Sequence, residues 1–187
     1  MLGAGSLANT PNRHLLITGP SGVGKSTLLK QVVASCQSED LIVRGFISEV
    51  IIVEGRRMGW RLDGMDGVGG ILAHRDLVSA QRMGPYGIDL PLFERIAEGE
   101  LLAAAYVSLY VVDEIGLIAS WSAAIQIALD TVLDGSVPVL AILRQKPTDY
   151  TERVRGRADV TVVSMDEGNR TEVEMRVRSW VAAKRSG

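Results

Sequence analysis

The sequence is poor in cysteine, histidine and phenylalanine, with one, two and two among 187 residues. A lone thiol, Cys36, cannot close an internal disulfide, which excludes a disulfide-stapled scaffold and fits a reducing compartment better than secretion. His14 and His74 have no Cys or His partners at metal-ligand spacing, which argues against a zinc site. An excess of one charge is also missing: 20 Lys+Arg against 22 Asp+Glu leave −2, too little asymmetry for a global electrostatic hold on nucleic acid, although a local basic patch stays compatible. The longest apolar tract, Leu101 to Val112, stops at Asp113-Glu114, short of the roughly 18 residues a membrane span needs. Residues 1–12 lack the basic start and apolar stretch of a signal peptide. These absences predict a soluble cytoplasmic protein with no membrane partner. Residues 1–12 read as a flexible lead-in and 13–187 as one domain.

What is present is ordinary globular composition, 47% hydrophobic and 22% charged, so wholesale disorder is excluded. His14 to Thr18 reads as a buried strand feeding a glycine-rich turn, followed by Leu28, Leu29, Val32, Val33 and Cys36 at helical spacing. That spacing makes Cys36 a packing residue. Leu41 to Val53, a break at Glu54-Gly55, then alternating Met58, Trp60 and Leu62 predict a long hairpin. The glycines of Gly64 to Gly70 argue against regular structure there, and Ile71 to Ala73 reads as a short strand. Pro91 sits near the start of a helix that runs through Leu101 to Ala105, weakened by Gly99.

Ala105 to Val112 is the most apolar strand, with Asp113 at its C-terminal end, and such a continuous run suits a sheet covered on both faces. Ser120 is a candidate cap for a helix with Trp121, Ala124, Ile125, Ala128, Leu129, Val132 and Leu133 on one face, ended by Gly135. Val137 to Leu143 and Val160 to Val163 are further strands. Val173, Val177, Trp180 and Val181 mark a terminal helix. Between them the polar stretch Arg144 to Asp159 reads as a mobile loop. Alternating strands and helices predict an α/β three-layer sandwich on a mainly parallel central sheet, with an inserted β-hairpin. The strand Val137 to Leu143 is compatible with insertion between the Asp113 strand and the first one.

Gly19-Pro20-Ser21-Gly22-Val23-Gly24-Lys25-Ser26 satisfies G-x-x-x-x-G-K-[ST] between a strand and an amphipathic helix, where a phosphate loop belongs. Glycines let successive main-chain N–H groups point at phosphate oxygens, and the helix start near Lys25 adds its positive dipole end. Thr27 completes the candidate nucleotide-binding set. Lys25 is placed to neutralise β- and γ-phosphates and Ser26 to ligate Mg²⁺. Asp113 supplies the acid that holds Mg²⁺ from across the cleft, and Glu114 is placed to polarise an attacking water. Arg144, at a strand end, is the best-placed arginine for transition-state charge, ahead of Arg56 and Arg57. Trp60 and Tyr86 have faces a nucleobase could stack on, but alternation puts Trp60 with Met58 and Leu62 in the core.

The segments ITGPSGVGKSTL, GFISEVIIVEGRRMGWRL, GPYGID, VVDEIG and VPVLAIL, in this order from about His14 to Leu143, resemble the THEP-type nucleoside triphosphatases, relatives of the cancer-related nucleoside-triphosphatase, within the P-loop NTPase superfamily. The phosphate loop alone is common to many families; the GF-x-[ST]-E-V and G-R-R-x-G-[FW] segments discriminate. The resemblance implies a RecA-like (ASCE) core and slow Mg²⁺-dependent hydrolysis of ATP, GTP and other triphosphates with loose base preference. It matches Gly19 to Thr27 to the family's phosphate loop and Asp113-Glu114 to its acid pair. Two segments depart from the family: Leu117, Ile118 and Ala119 stand where Lys-Met-Glu is usual, and Pro85 replaces a lysine.

Three functions fit these residues. A triphosphate hydrolase accounts for the acid pair without a phosphoryl acceptor. A kinase would use the same cradle, with Arg153, Arg155 and Arg157 as a closing lid. A nucleotide-gated binding module would present the loop's conformation to a protein partner.

Overall fold

The computed structural model describes residues 12–102 and 106–185, so most of the predicted lead-in and Ala105, the expected first residue of the acid-bearing strand, lie outside the described residues. Among the described residues nine strands form one sheet: β1 (His14–Thr18), β2 (Val43–Val53), β3 (Arg56–Gly64), β4 (Gly69–His74), β5 (Arg82–Met83), β6 (Tyr86–Ile88), β7 (Leu109–Ile115), β8 (Val139–Leu143) and β9 (Val160–Ser164). Five helices accompany them: α1 (Lys25–Gln37), α2 (Leu90–Leu101), α3 (Ala123–Asp134), α4 (Asp149–Arg155) and α5 (Arg170–Arg185). The order across the sheet is β5-β6-β4-β3-β2-β7-β8-β1-β9. The run β2-β7-β8-β1-β9 is parallel, while β3, β4, β6 and β5 extend it antiparallel beyond β2.

Alternation along the central strands divides the core in two. Leu15 and Ile17 of β1, Val111 of β7 and Leu140 and Ile142 of β8 pack with α1 and α5. Leu16, Val112, Val139, Ala141 and Leu143 face the other way, onto α2, α3 and α4. Each strand residue thus serves one face in turn, the period-2 geometry that lets a sheet be covered on both sides. The three-layer α/β sandwich is the observed architecture. β8 lies between β7 and β1, as the extra apolar strand suggested.

Several local expectations change. β7 begins at Leu109 and runs through Ile115, so Asp113 and Glu114 lie inside the strand rather than beyond it. Ser122, not Ser120, caps α3: its hydroxyl accepts from the Ile125 amide at 3.3 Å and donates to Glu94 at 2.6 Å. Ser120 belongs to a short 3₁₀ turn, Ala119–Trp121, where its hydroxyl donates to the Gly116 carbonyl and meets Thr148 at 2.7 Å. The stretch expected to be a mobile loop contains α4, closed by a Thr148–Thr151 capping box and anchored by buried Tyr150, Thr151 and Val154. The glycine-rich segment ends β3 and starts β4, and the short strands β5 and β6 follow it.

At the N-terminal end of β1, buried His14 ties that strand to the start of β8 and the end of α3. Its Nδ1 accepts from the Val139 amide and its Nε2 donates to the Leu133 carbonyl, both at 3.1 Å. Both ring nitrogens are committed with the imidazole neutral. Burial pushes its pKa down to about 4, against the raising effect of Asp159 and of the Leu133 bond.

Candidate active site

β1 delivers Thr18 to the C-terminal edge of the sheet, and the chain curls through Gly19 to Gly24 before α1 begins at Lys25. Gly22 and Gly24 take φ values of 86° and 103°, and Gly19 has φ 145°. Gly19 is required by a close approach: a Cβ there would stand 2.0 Å from the Met165 carbonyl oxygen. The Met165 amide in turn donates to Thr18 at 2.8 Å, so the end of β9 braces the start of the loop.

Lys25 folds its ammonium back over the loop and donates to the Gly19 and Pro20 carbonyls at 2.8 and 2.6 Å. Burial holds its pKa below the ordinary lysine value, while the charges of Glu114 and Asp113 pull it back up. That mutual influence brings lysine and acids into one electrostatic neighbourhood.

The acids arrive by strand register. Leu16, Ala141 and Val112 form one row across β1, β8 and β7, so Asp113 is level with the residue one short of Thr18 and two strands away. Its side chain points into the structure and is 4% exposed. Burial raises its pKa, opposed by hydrogen bonds from the Ser26 and Ser48 hydroxyls and the Ser48 amide and by the charge of Lys25. One oxygen, Oδ2, is buried with no hydrogen-bond partner. Glu114 follows with its side chain open to the cleft yet ringed by protein atoms. Burial and the neighbouring Asp113 raise its pKa, and Arg144 and Lys25 lower it. A Cβ on Gly116 would lie 2.4 Å from Glu114 Oε1, so a glycine there lets the glutamate occupy this position.

These groups share one cleft of about 740 Å³. Of the sequence-predicted site residues, Gly19, Ser21, Gly22, Gly24, Lys25, Ser26, Thr27, Asp113, Glu114 and Arg144 line it; Pro20 and Val23 shape the loop without lining the cleft. The Arg144 amide donates to the Ile115 carbonyl at 3.1 Å, which fixes the backbone of that arginine beside Glu114. Among the described residues no cluster of three or more His, Cys, Asp or Glu could hold a metal by itself.

Sequence reasoning missed Ser48, which bonds Asp113 from the neighbouring strand β2. Its signal lay in the hydroxyl position of the GF-x-[ST]-E-V segment. Of the two hairpin arginines, Arg57 lines the cleft. Trp60 is half-buried, its ring 4.7 Å from that of Tyr86 and edge-on to it, so it both packs on the core and forms cleft wall.

Arg153, Arg155 and Arg157, the lid of the kinase alternative, do not line the cleft. Arg153 lies over the Tyr150 ring at 5.1 Å, and Arg155 pairs with Glu152 at 3.2 Å. Arg157 pairs with Asp134 and Asp159 at the N-terminal end of β1, the edge opposite the phosphate loop. Local helix and strand-end partners claimed each of them.

A parallel sheet with a strand inserted between the loop-bearing and acid-bearing strands, and a lysine-serine loop facing an acid pair, defines a P-loop nucleoside-triphosphate-binding protein. The family model described as NTPase matches residues 14–178, and the chain belongs to that family. The nucleoside-triphosphatase THEP1 of Thermotoga petrophila is 34% identical over 157 residues, covering 83% of this chain and 86% of that protein. The human cancer-related nucleoside-triphosphatase is 31% identical over 190 residues, covering 92% and 98%. Among solved structures, the solution structure of a human cancer-related nucleoside triphosphatase superposes with a TM-score of 0.77 at 30% identity, covering 91% of this chain and 98% of that one. The crystal structure of THEP1 from Aquifex aeolicus gives 0.78 at 24% identity, covering 90% and 98%, and shares the fold.

Proposed function

We propose that the chain hydrolyses nucleoside triphosphates, ATP and GTP among them, to diphosphate and phosphate with Mg²⁺ as cofactor. The observation that carries this reading is the convergence of Lys25, Ser26, Asp113 and Glu114 on one cleft, with a buried Asp113 oxygen that lacks a partner.

The residues fit Mg²⁺. A buried carboxylate oxygen without a hydrogen bond is costly unless a cation or water satisfies it, and the Ser26 hydroxyl stands beside the same carboxylate. Ser26 and Asp113 would hold the ion, which supplies neutralisation of charge on the β- and γ-phosphates. The loop amides and Lys25 grip the phosphate chain from the other side. Lys25 exchanges its bonds to the Gly19 and Pro20 carbonyls for phosphate oxygens. Glu114, its basicity raised by enclosure and by Asp113, accepts the proton of the attacking water. Arg144 meets charge developing on the γ-phosphoryl group.

Each of these groups addresses phosphate or water rather than a base, which supports loose base preference. In the test, Glu114→Gln cuts phosphate release about 10²- to 10³-fold while triphosphate affinity by calorimetry stays within about threefold. Undiminished turnover in that variant overturns the mechanism.

A further inference from the structure

The cleft of about 740 Å³ runs from the phosphate loop past the acid pair to an apolar lobe on one side. β1, with the phosphate loop, is two strands from β7, and the antiparallel strands β3, β4 and β5 lie on the far side of β7 and β2. Beyond Glu114 the cleft therefore continues over the antiparallel half of the sheet. Its walls there are Trp60, Leu72, Met83, Phe93, Leu117 and Ile118. Leu72 and Phe93 are buried floor, whereas Trp60, Met83, Leu117 and Ile118 are half-buried and present apolar surface to the opening.

This rests on reading the acid pair as the γ-phosphate end of the site. Asp113 and Glu114 face the reacting phosphoryl group, so the nucleoside trails away over the start of α1, and the apolar lobe lies on the side from which the nucleophile approaches. A water molecule has no use for an apolar chamber of this kind. Such a chamber with a few convergent polar groups is what small-molecule sites are made of.

The charge at its mouth narrows the occupant. Arg57 is exposed on β3 and its guanidinium lies over the Trp60 ring at 5.4 Å. Its carbonyl accepts from Arg75 Nε at 3.2 Å, which holds its backbone in place. The nearby carboxylate of Glu49 is paired with Lys30 at 3.1 Å. A guanidinium over an aromatic wall favours a flat ring carrying negative charge, which it can stack on and neutralise together.

We propose that this lobe is a second ligand subsite for a small aromatic anion, separate from the nucleotide and adjoining the position of the attacking water. A ligand seated there slows hydrolysis by crowding Glu114, lowering kcat with little change in KM for the triphosphate.

The probe is 1-anilinonaphthalene-8-sulfonate, titrated by fluorescence into protein held in saturating ADP and Mg²⁺. The expected result is one site per chain, weakened at least fivefold by Arg57→Ala and abolished by Ile118→Glu. The uncharged N-phenyl-1-naphthylamine binds at least fivefold more weakly than the sulfonate. Should Ile118→Glu fail to fold by circular dichroism, the exposed Arg57→Ala decides alone. Sulfonate binding seen without nucleotide but lost in saturating ADP and Mg²⁺ overturns the proposal and assigns the lobe to the nucleobase. Binding indifferent to both substitutions, or equal for the neutral analogue, overturns it as well. Sulfonate binding by a wild-type protein that releases no phosphate from triphosphates would refute the hydrolytic reading and leave the subsite standing.

Discussion

Gly19 and Met165 touch through their backbones, the first at the entrance to the phosphate loop and the second at the exit of β9. A Cβ on Gly19 has only 2.0 Å before it meets the Met165 carbonyl oxygen. Gly19→Ala must therefore push the two segments apart while adopting a φ of 145° that L-residues rarely take. The expected loss is about 2–4 kcal/mol of stability, measured by urea denaturation, together with loss of triphosphate binding.

Lys25→Ala removes the one ammonium that bridges the loop carbonyls and faces both acids. Triphosphate affinity falls at least about 100-fold in calorimetry, roughly 3 kcal/mol. Wild-type affinity in this variant refutes the phosphate-site assignment.

Asp113 is held in the protein against its own desolvation, which is why its pKa is raised. Asp113→Asn removes a buried charge at nearly constant shape. The variant is expected to melt at a temperature equal to or higher than the parent without ligand, and to lose Mg²⁺ stimulation of triphosphate binding and hydrolysis. A destabilised variant that still responds to Mg²⁺ overturns both halves of the argument.

His14 makes stability depend on pH. Its folded pKa is about 4 against an ordinary 6.5, so between these values the unfolded chain binds a proton that the native imidazole refuses. The His14 penalty is absent above pH 6.5 and costs up to roughly 3 kcal/mol as pH drops towards 4, while the raised carboxyls of Asp113 and Glu114 act in the opposite sense. Asp159 is also buried, but hydrogen bonding and charge from Arg157 keep its carboxyl below the usual range, so it titrates beneath this window. Denaturation of the wild type and His14→Gln at pH 7.5, 6 and 4.5 checks this: the wild type loses more stability on acidification than the variant does.

The features legible in the sequence are those written in neighbouring residues. Gly19 to Ser26 announce the loop because glycine spacing and the Lys-Ser pair are local. Asp113-Glu114 stand out because they interrupt an apolar run. What stayed hidden was decided by partners distant in the chain. Ser120 and Ser122 are equally good caps by composition, and the contacts to Thr148 and Glu94 assigned their roles. α4 has seven residues, too few to display a period, and is held by Tyr150 and Val154 in the core. Ser48 sits beside Asp113 only through the pairing of β2 with β7. The alternating Arg153, Arg155 and Arg157 look like a set in one dimension, yet each is bound to a different neighbour.

The brace between Met165 and Gly19 also ties the two ends of the fold to one another. A nascent chain that has emerged only through β8 already carries the complete lysine-serine motif and the acid pair. It still lacks the carbonyl ridge against which the cradle is seated. The loop written near the start of the chain is therefore seated by a strand end contributed close to its finish.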